Sequence, residues 1–282
     1  MAVTNPFDSV VNQTLENRFR GAMIDLGNDI LSAVEDNYGP GLSVTSHTLT
    51  ATAATATLTI PGLRAHHLLF PQVSTATATC YQGLIISLKY ASADTATLTF
   101  SGSIDQSAAV VKVLRVDPTA MPYGAVCGRT AAGGAADDTT LTCIVPGLQA
   151  DHIVLGAIEV VGVVVNASLI QDMQYTSAGL ATFNFDSDDL ENMVGIVAGF
   201  RNYGSKIVAA TYAPAAGAVE SIVIPVPGCT TSHTAFLSIA ADATDDDYIA
   251  QVKSVVAGTD VVTVTTASHD PDGATLHVVC VK

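Results

Sequence analysis

The chain of 282 residues has no tryptophan, and only 13% of it is charged. Among the charged residues the basic ones are the scarcer: eleven Lys and Arg stand against 26 Asp and Glu, for a net charge of −15. Nucleic-acid binding needs clustered cations to neutralise phosphate, so direct contact with DNA or RNA is not expected. Long apolar runs are missing too. The longest, residues 153–165, is broken by Glu159 and followed by Asn166, too short to cross a bilayer, so no membrane partner is expected. No basic segment leads into an apolar one at the start of the sequence, so no secretory signal is expected. The five cysteines, at 80, 127, 143, 229 and 280, include no Cys-x-x-Cys. They sit in apolar, strand-like surroundings and read as buried free thiols, with one disulfide, Cys127 to Cys143, left open. The sequence also lacks a nucleophile elbow, a zincin helix, a P-loop and a dinucleotide fingerprint, and Gly133-Gly134 is not followed by a helix. No enzyme and no cofactor are expected.

What is present is a repeat. Ile60-Pro61-Gly62-Leu63 returns as Val145-Pro146-Gly147-Leu148 and as Val226-Pro227-Gly228-Cys229, with His67, His152 and His233 each six residues after the proline. A recurrence every 80 or so residues marks tandem copies of one folding unit. Proline presets φ at the second position of a turn, and glycine at the third supplies the positive φ of a type II turn. β-Branched, alternating residues precede each turn and a short apolar run follows: Leu68-Leu69-Phe70, Ile153-Val154-Leu155 and Ala235-Phe236-Leu237. A second strand pair follows in every copy. Here residues 84–90, 169–175 and 248–254 align, the turns fall at Asp94, Gly179 and Gly258, and Leu98 and Phe100 match Phe183 and Phe185, then Val262 and Val264. This alignment puts a two-residue deletion before Tyr248 and its compensation near Asp270.

Residues 1–41 differ from the rest. Val11, Leu15, Phe19, Ala22, Leu26, Ile30 and Val34 recur in steps of three and four, the signature of one amphipathic helix over about residues 8–35. Its apolar stripe is expected to face a partner, because a lone helix in water is only marginally stable. The fold class is therefore mainly β: an N-terminal helical attachment segment (1–41), then three tandem small β-sandwich domains at 42–118, 125–203 and 204–282. Short linkers between them suggest a rod or an arc.

Three aligned histidines invite a metal reading. Each copy holds one, however, and His66 and His67, as neighbours on a strand, are expected to point to opposite faces. The preferred reading is a histidine that closes its turn by a hydrogen bond, with no metal. The acidic groups at Asp137-Asp138, Asp186 to Asp189, Asp245 to Asp247 and Asp270 to Asp272 lack the spacing of a calcium loop and read as turns.

With its Pro61-Gly62, Pro146-Gly147 and Pro227-Gly228 turns, the turns at Asp94, Gly179 and Gly258, and a closing valine-rich strand, the chain resembles the tandem-repeat proteins of tailed-bacteriophage virions. Those are head decoration (cement) proteins and fibres. The resemblance implies a structural, non-enzymatic role in the virion, assembled in the host cytoplasm. The expected partners are the major capsid protein or another virion protein and the chain itself, as a homotrimer or alternatively a dimer. Capsid decoration is the first expectation and a head or tail fibre that meets a host receptor the second.

Overall fold

A computed structural model describes residues 18, 21–23, 41–77, 80–122, 125–130, 139–160, 170–185, 192–202, 206–215, 219–241, 252–269 and 274–282. Residues 1–39 and 40–282 form two separate compact units. In the first, residues 18 and 21–23 are helical and Ala22 is exposed; the rest of the expected helix lies outside the described residues. No helix of the described residues is long and apolar enough to cross a membrane.

The second unit is built of strands. The first repeat supplies β1 (Leu42–Thr48), β2 (Thr52–Thr59), β3 (Leu68–Thr75), β4 (Ile85–Ser92), β5 (Thr95–Asp105) and β6 (Val110–Val116). The second supplies β7 (Ala125–Arg129), β8 (Thr140–Ile144), β9 (Ile153–Val160), β10 (Ile170–Ser177), β11 (Leu180–Phe185) and β12 (Met193–Phe200). The third supplies β13 (Ile207–Tyr212), β14 (Val219–Pro225), β15 (Thr234–Ala241), β16 (Val252–Ala257), β17 (Val261–His269) and β18 (Thr275–Val281).

These strands make six antiparallel three-stranded sheets, two per repeat. The inner sheets are ordered β1-β6-β3, β7-β12-β9 and β13-β18-β15; the outer ones are β2-β5-β4, β10-β11-β8 and β14-β17-β16. Between the two sheets of each repeat lies an apolar core. In the first it joins Leu58, Leu88 and Leu98 of the outer sheet to Leu69, Val111 and Val113 of the inner one. In the second, Leu141, Met173 and Phe183 meet Val154, Ile158 and Val197. In the third, Ile222, Val255 and Val264 meet Leu237, Val278 and Cys280.

The inner sheets have a second buried face. Leu68, Phe70, Leu114 and Val116 of the first repeat pack in one cluster with Leu155, Val194, Ile196, Ala198 and Phe200 of the second and with Ile207, Phe236, Val279 and Val281 of the third. Because strand side chains alternate between faces, neighbours serve different cores: Val113 its own and Leu114 the shared one, Val197 its own and Ala198 the shared one. Every residue of β12 is buried. Contacts between repeats also run in a closed circuit, β4 against β9, β10 against β15 and β16 against β3. Ile86 of β4 reaches the core of the second repeat.

This corrects the expected rod or arc. The linkers are short, but the apolar runs after each anchor turn carry side chains on two faces. Burying both requires the repeats to close around a common centre. A second correction concerns the third repeat. Strand pairing aligns Leu58 with Ala96, Cys143 with Ala181 and Ile224 with Val262, so Val264, not Val262, matches Leu98 and Phe183. No deletion is needed. The αL turn residue is Asp260 (φ 57°), which matches Asp94 (φ 60°) and Gly179 (φ 80°), each 33 residues after its proline (94 − 61, 179 − 146, 260 − 227). Gly258 only looked equivalent, because aspartate shares with glycine some tolerance of that conformation.

Phe200 is fully buried in the shared cluster. Phe200→Ala is expected to cost about 3–5 kcal/mol, read as a fall in the midpoint of a urea transition. Because all three repeats lean on that cluster, the transition should stay single. Separate unfolding of the repeats would contradict the shared core.

Candidate functional site

The candidate residues converge on the anchor turns, which have one construction in all three repeats. Leu63 N–H donates to the Ile60 carbonyl, Leu148 to Val145 and Cys229 to Val226, at 3.0–3.1 Å. Gly62, Gly147 and Gly228 have φ of 78°, 85° and 86°, the left-handed region that a Pro-Gly turn requires. The residue before each proline then donates to the αL residue of the outer hairpin: Ile60 to Asp94, Val145 to Gly179 and Val226 to Asp260. Where that residue is aspartate its side chain adds a bond, Gly62 N–H to Asp94 Oδ1 at 2.6 Å and Gly228 N–H to Asp260 Oδ1 at 2.8 Å. The anchor turn and the outer hairpin are thereby one knot.

His67, His152 and His233 are all buried. Their Nδ1 atoms accept the backbone N–H three residues back, from Arg64, Gln149 and Thr230, at 3.1 Å in each case. These are the turn-closing histidines expected from the sequence. Burial lowers the pKa of His67 and His152, which favours the neutral ring that this role needs.

The expected divergence of His66 and His67 does not occur. They lie in the turn that precedes β3, not on the strand, and their rings meet edge to face at 4.4 Å. Both Nε2 atoms stand 3.4 Å from the carboxylate of Asp117, His66 at Oδ1 and His67 at Oδ2. Potential ligand atoms of the three residues lie within 4.8 Å of one another. The tautomer decides what this trio can do. With Nδ1 accepting from Arg64, the neutral ring of His67 carries its proton on Nε2, aimed at Asp117. A metal-ligating histidine has the opposite arrangement, a lone pair toward the ion and the other nitrogen donating. Asp117 Oδ1 is further engaged by the N–H and hydroxyl of Thr119 at 2.9 and 2.7 Å. Burial pushes its pKa up, but the Thr119 bonds and the two histidines outweigh this and hold it below the usual range. The geometry describes a clasp between the anchor turn and the end of β6.

The second repeat makes the same tie with other residues. Asp151 stands where His66 does and bonds Arg201 Nη2 at 2.7 Å, and Gln149 also receives a bond from that arginine. Elsewhere, Glu159 is buried on β9 and paired with Arg129, and Lys89 of the first repeat donates to the neighbouring Val160 carbonyl at 3.3 Å. Burial raises the pKa of Glu159 in spite of both cations. All five cysteines are free thiols, and Cys143 packs in the core of the second repeat while Cys127 leans on the shared cluster. Burial drives their pKa values up, to about 12 for Cys143 and about 11 for Cys127, so neither is a reactive thiolate.

No protein-family model matches this chain, and no curated protein matches it significantly. The virion resemblance therefore rests on the turn-and-strand pattern alone. Of the residues expected to face a partner, Val11, Leu15, Phe19, Leu26, Ile30 and Val34 lie outside the described residues. Sequence reasoning missed the Asp117 and Asp151–Arg201 ties, whose only signal is an ionisable residue at the close of β6 and β12.

Two outcomes follow from the turn chemistry. Gly147→Val should cost about 1 kcal/mol or more, because φ of 85° is strained for any β-branched residue; thermal denaturation reads it. Zinc added to the protein at pH 7.5 should show no stoichiometric binding by calorimetry, and His67→Gln should leave that result unchanged. Tight one-to-one uptake lost in His67→Gln would overturn the tautomer argument.

Proposed function

We propose that this chain is a non-enzymatic structural protein of a tailed-bacteriophage virion, and within that class a capsid decoration (cement) protein. In this reading its three tandem β-sandwich domains, of similar fold, bind and stabilise the head shell, and residues 1–41 attach or oligomerise. The single observation that carries the reading is the ring. Three repeats packed around one core place three outer sheets around a common centre, a form suited to holding several neighbouring subunits at once. The turn, clasp and core chemistry described above serves rigidity: Glu159 is paired with Arg129, and His67, His152 and His233 each hold a backbone N–H of their own turn.

The partners in this reading are the major capsid protein or another virion protein, without nucleic acid or membrane. Self-association, whether a homotrimer or a dimer, would fall to the stripe of residues 11–34. The β unit has no need of it, since its inner surfaces are already covered within one chain. The alternative is a head or tail fibre or adaptor that meets a host receptor. It is favoured by one observation, the apolar exposed residues Val223 and Val256 on the outer sheet of the third repeat.

The test is binding to purified shells that lack the protein. The full chain should bind at a fixed stoichiometry and raise the temperature at which the shells rupture. Deleting residues 1–38 should leave the strand signal in circular dichroism intact and abolish attachment. If the full chain binds host cells but not shells, the fibre reading replaces this one; if the truncated chain binds shells unchanged, the β unit is the anchor.

A further inference from the structure

We propose that His277 makes the joint between the second and third repeats acid-labile, so that the ring opens there when the imidazole gains a proton. His277 lies on β18, opposite Thr211 of β13 and Ser238 of β15. Its Nδ1 accepts the backbone N–H of Val154, on the edge strand β9 of the second repeat, at 3.3 Å. The carbonyl of the same Val154 accepts the hydroxyl of Ser238. Residue 154 is thus held at both backbone groups by side chains of the third repeat. Protonating Nδ1 replaces an acceptor with a second donor facing the Val154 N–H, and it places a cation among buried groups.

Among the described residues of the strands packed on β18, no unpaired carboxylate is placed to welcome that charge. Strand β15 carries no ionisable side chain, β13 carries only Tyr212 with Lys206 beside it, and β9 carries Glu159, which is already paired with Arg129. On β18 itself the other titratable group is Cys280, a thiol that burial keeps neutral and that offers no negative charge. Burial holds the pKa of His277 down to about 4, against the pull of the Val154 bond. The sign follows from linkage. A histidine whose folded pKa lies below its ordinary 6.5 contributes stability that is present above that value and lost as pH falls toward 4. Going from pH 7.5 to 5.0, the equilibrium for opening the joint should rise about 30-fold.

Among the described residues the other joints use different groups. Between the first and second repeats Lys89 donates to the Val160 carbonyl; between the third and first, Leu237 N–H donates to Gln72 Oε1 at 2.9 Å and Lys112 reaches Thr234 at 3.5 Å. Lysine and amide do not titrate in this range. Burial raises the pKa of Glu159, so acid favours its folded form and does not loosen its joint.

Amide hydrogen exchange on the full chain tests this, with rates corrected for the intrinsic effect of pH. The comparison is wild type against His277→Asn, whose Oδ1 can accept the Val154 N–H and cannot titrate. In the wild type, exchange at Val154 should quicken about 30-fold between pH 7.5 and 5.0, and in the variant less than about threefold, with the amides around Val160 alike in both. Equal acceleration in the two proteins, or none in the wild type, would overturn the proposal. Should the asparagine variant fail to fold, His277→Gln replaces it. An NMR titration of the wild-type imidazole decides independently: a His277 that titrates near 6.5 in the folded chain ends the idea.

Discussion

Each inner sheet of this protein has no side for water, and the rest of the structure depends on that constraint. In β6, β12 and β18 adjacent residues feed different cores, so turning either face to solvent would expose a row of valine, leucine or phenylalanine side chains. Each such side chain is worth about 1.5–3 kcal/mol when buried. A single repeat could cover one face with its own outer sheet, but not the other. Three repeats can cover all three exposed faces mutually, provided that the chain turns back on itself, and the joints at 117–124 and 201–206 are short enough to keep the inner sheets adjacent. The Asp117 N–H to Gly41 carbonyl bond at 2.7 Å and the Lys282 N–H to Lys206 carbonyl bond at 3.0 Å tie the start and end of the first and third repeats together.

Closing the ring leaves strand edges, and each is handled differently. The matching edge positions are Pro71, Gly156 and Leu237, each ten residues beyond its anchor proline. Proline has no N–H to satisfy, while the Leu237 N–H is taken by Gln72 from across the joint. One residue on, Gln72, Ala157 and Ser238 are equivalent, and the residues paired with them are Lys112, Ile196 and His277. A trimer of identical chains would repeat one side chain three times at these points. A single chain can give every joint its own chemistry, and these polar groups fit only one order of repeats. Such groups cost desolvation, and what they secure is a unique arrangement.

Much of the local structure was legible in the residues. The Pro-Gly turns, the strands beside them and the turn-closing histidines follow from fixed φ preferences and short spacings, which act within a few residues of chain. The ring was not legible, because Leu68-Leu69-Phe70 and its counterparts read equally as one buried face or two. Only the partner that covers the second face distinguishes them, and that partner lies about 80 residues away. The alignment of the third repeat failed for a related reason. Gly258 suggested itself through residue identity, whereas the backbone conformation that defines the turn is held by Asp260, and the Pro227–Asp260 spacing carried the correct answer all along. His66 and His67 misled because side-chain alternation holds within a strand, and both lie before β3 begins.

The same separation between scaffold and difference extends to the outer surface. One outward-facing row crosses each outer sheet: Thr57, Thr97 and Lys89 in the first repeat, Thr142, Thr182 and Gln174 in the second, Val223, Thr263 and Val256 in the third. The cores behind these rows are equivalent and apolar, so they impose nothing on the outward side chains. The second row is laced by hydroxyls, with Thr176 and Thr182 2.7 Å apart, and the third replaces polar flanks by two half-exposed valines. A partner that touched all three sheets would meet three different chemistries on one frame. A partner that required identical contacts would gain nothing from the ring; one that used all three sheets would have to present unlike neighbours.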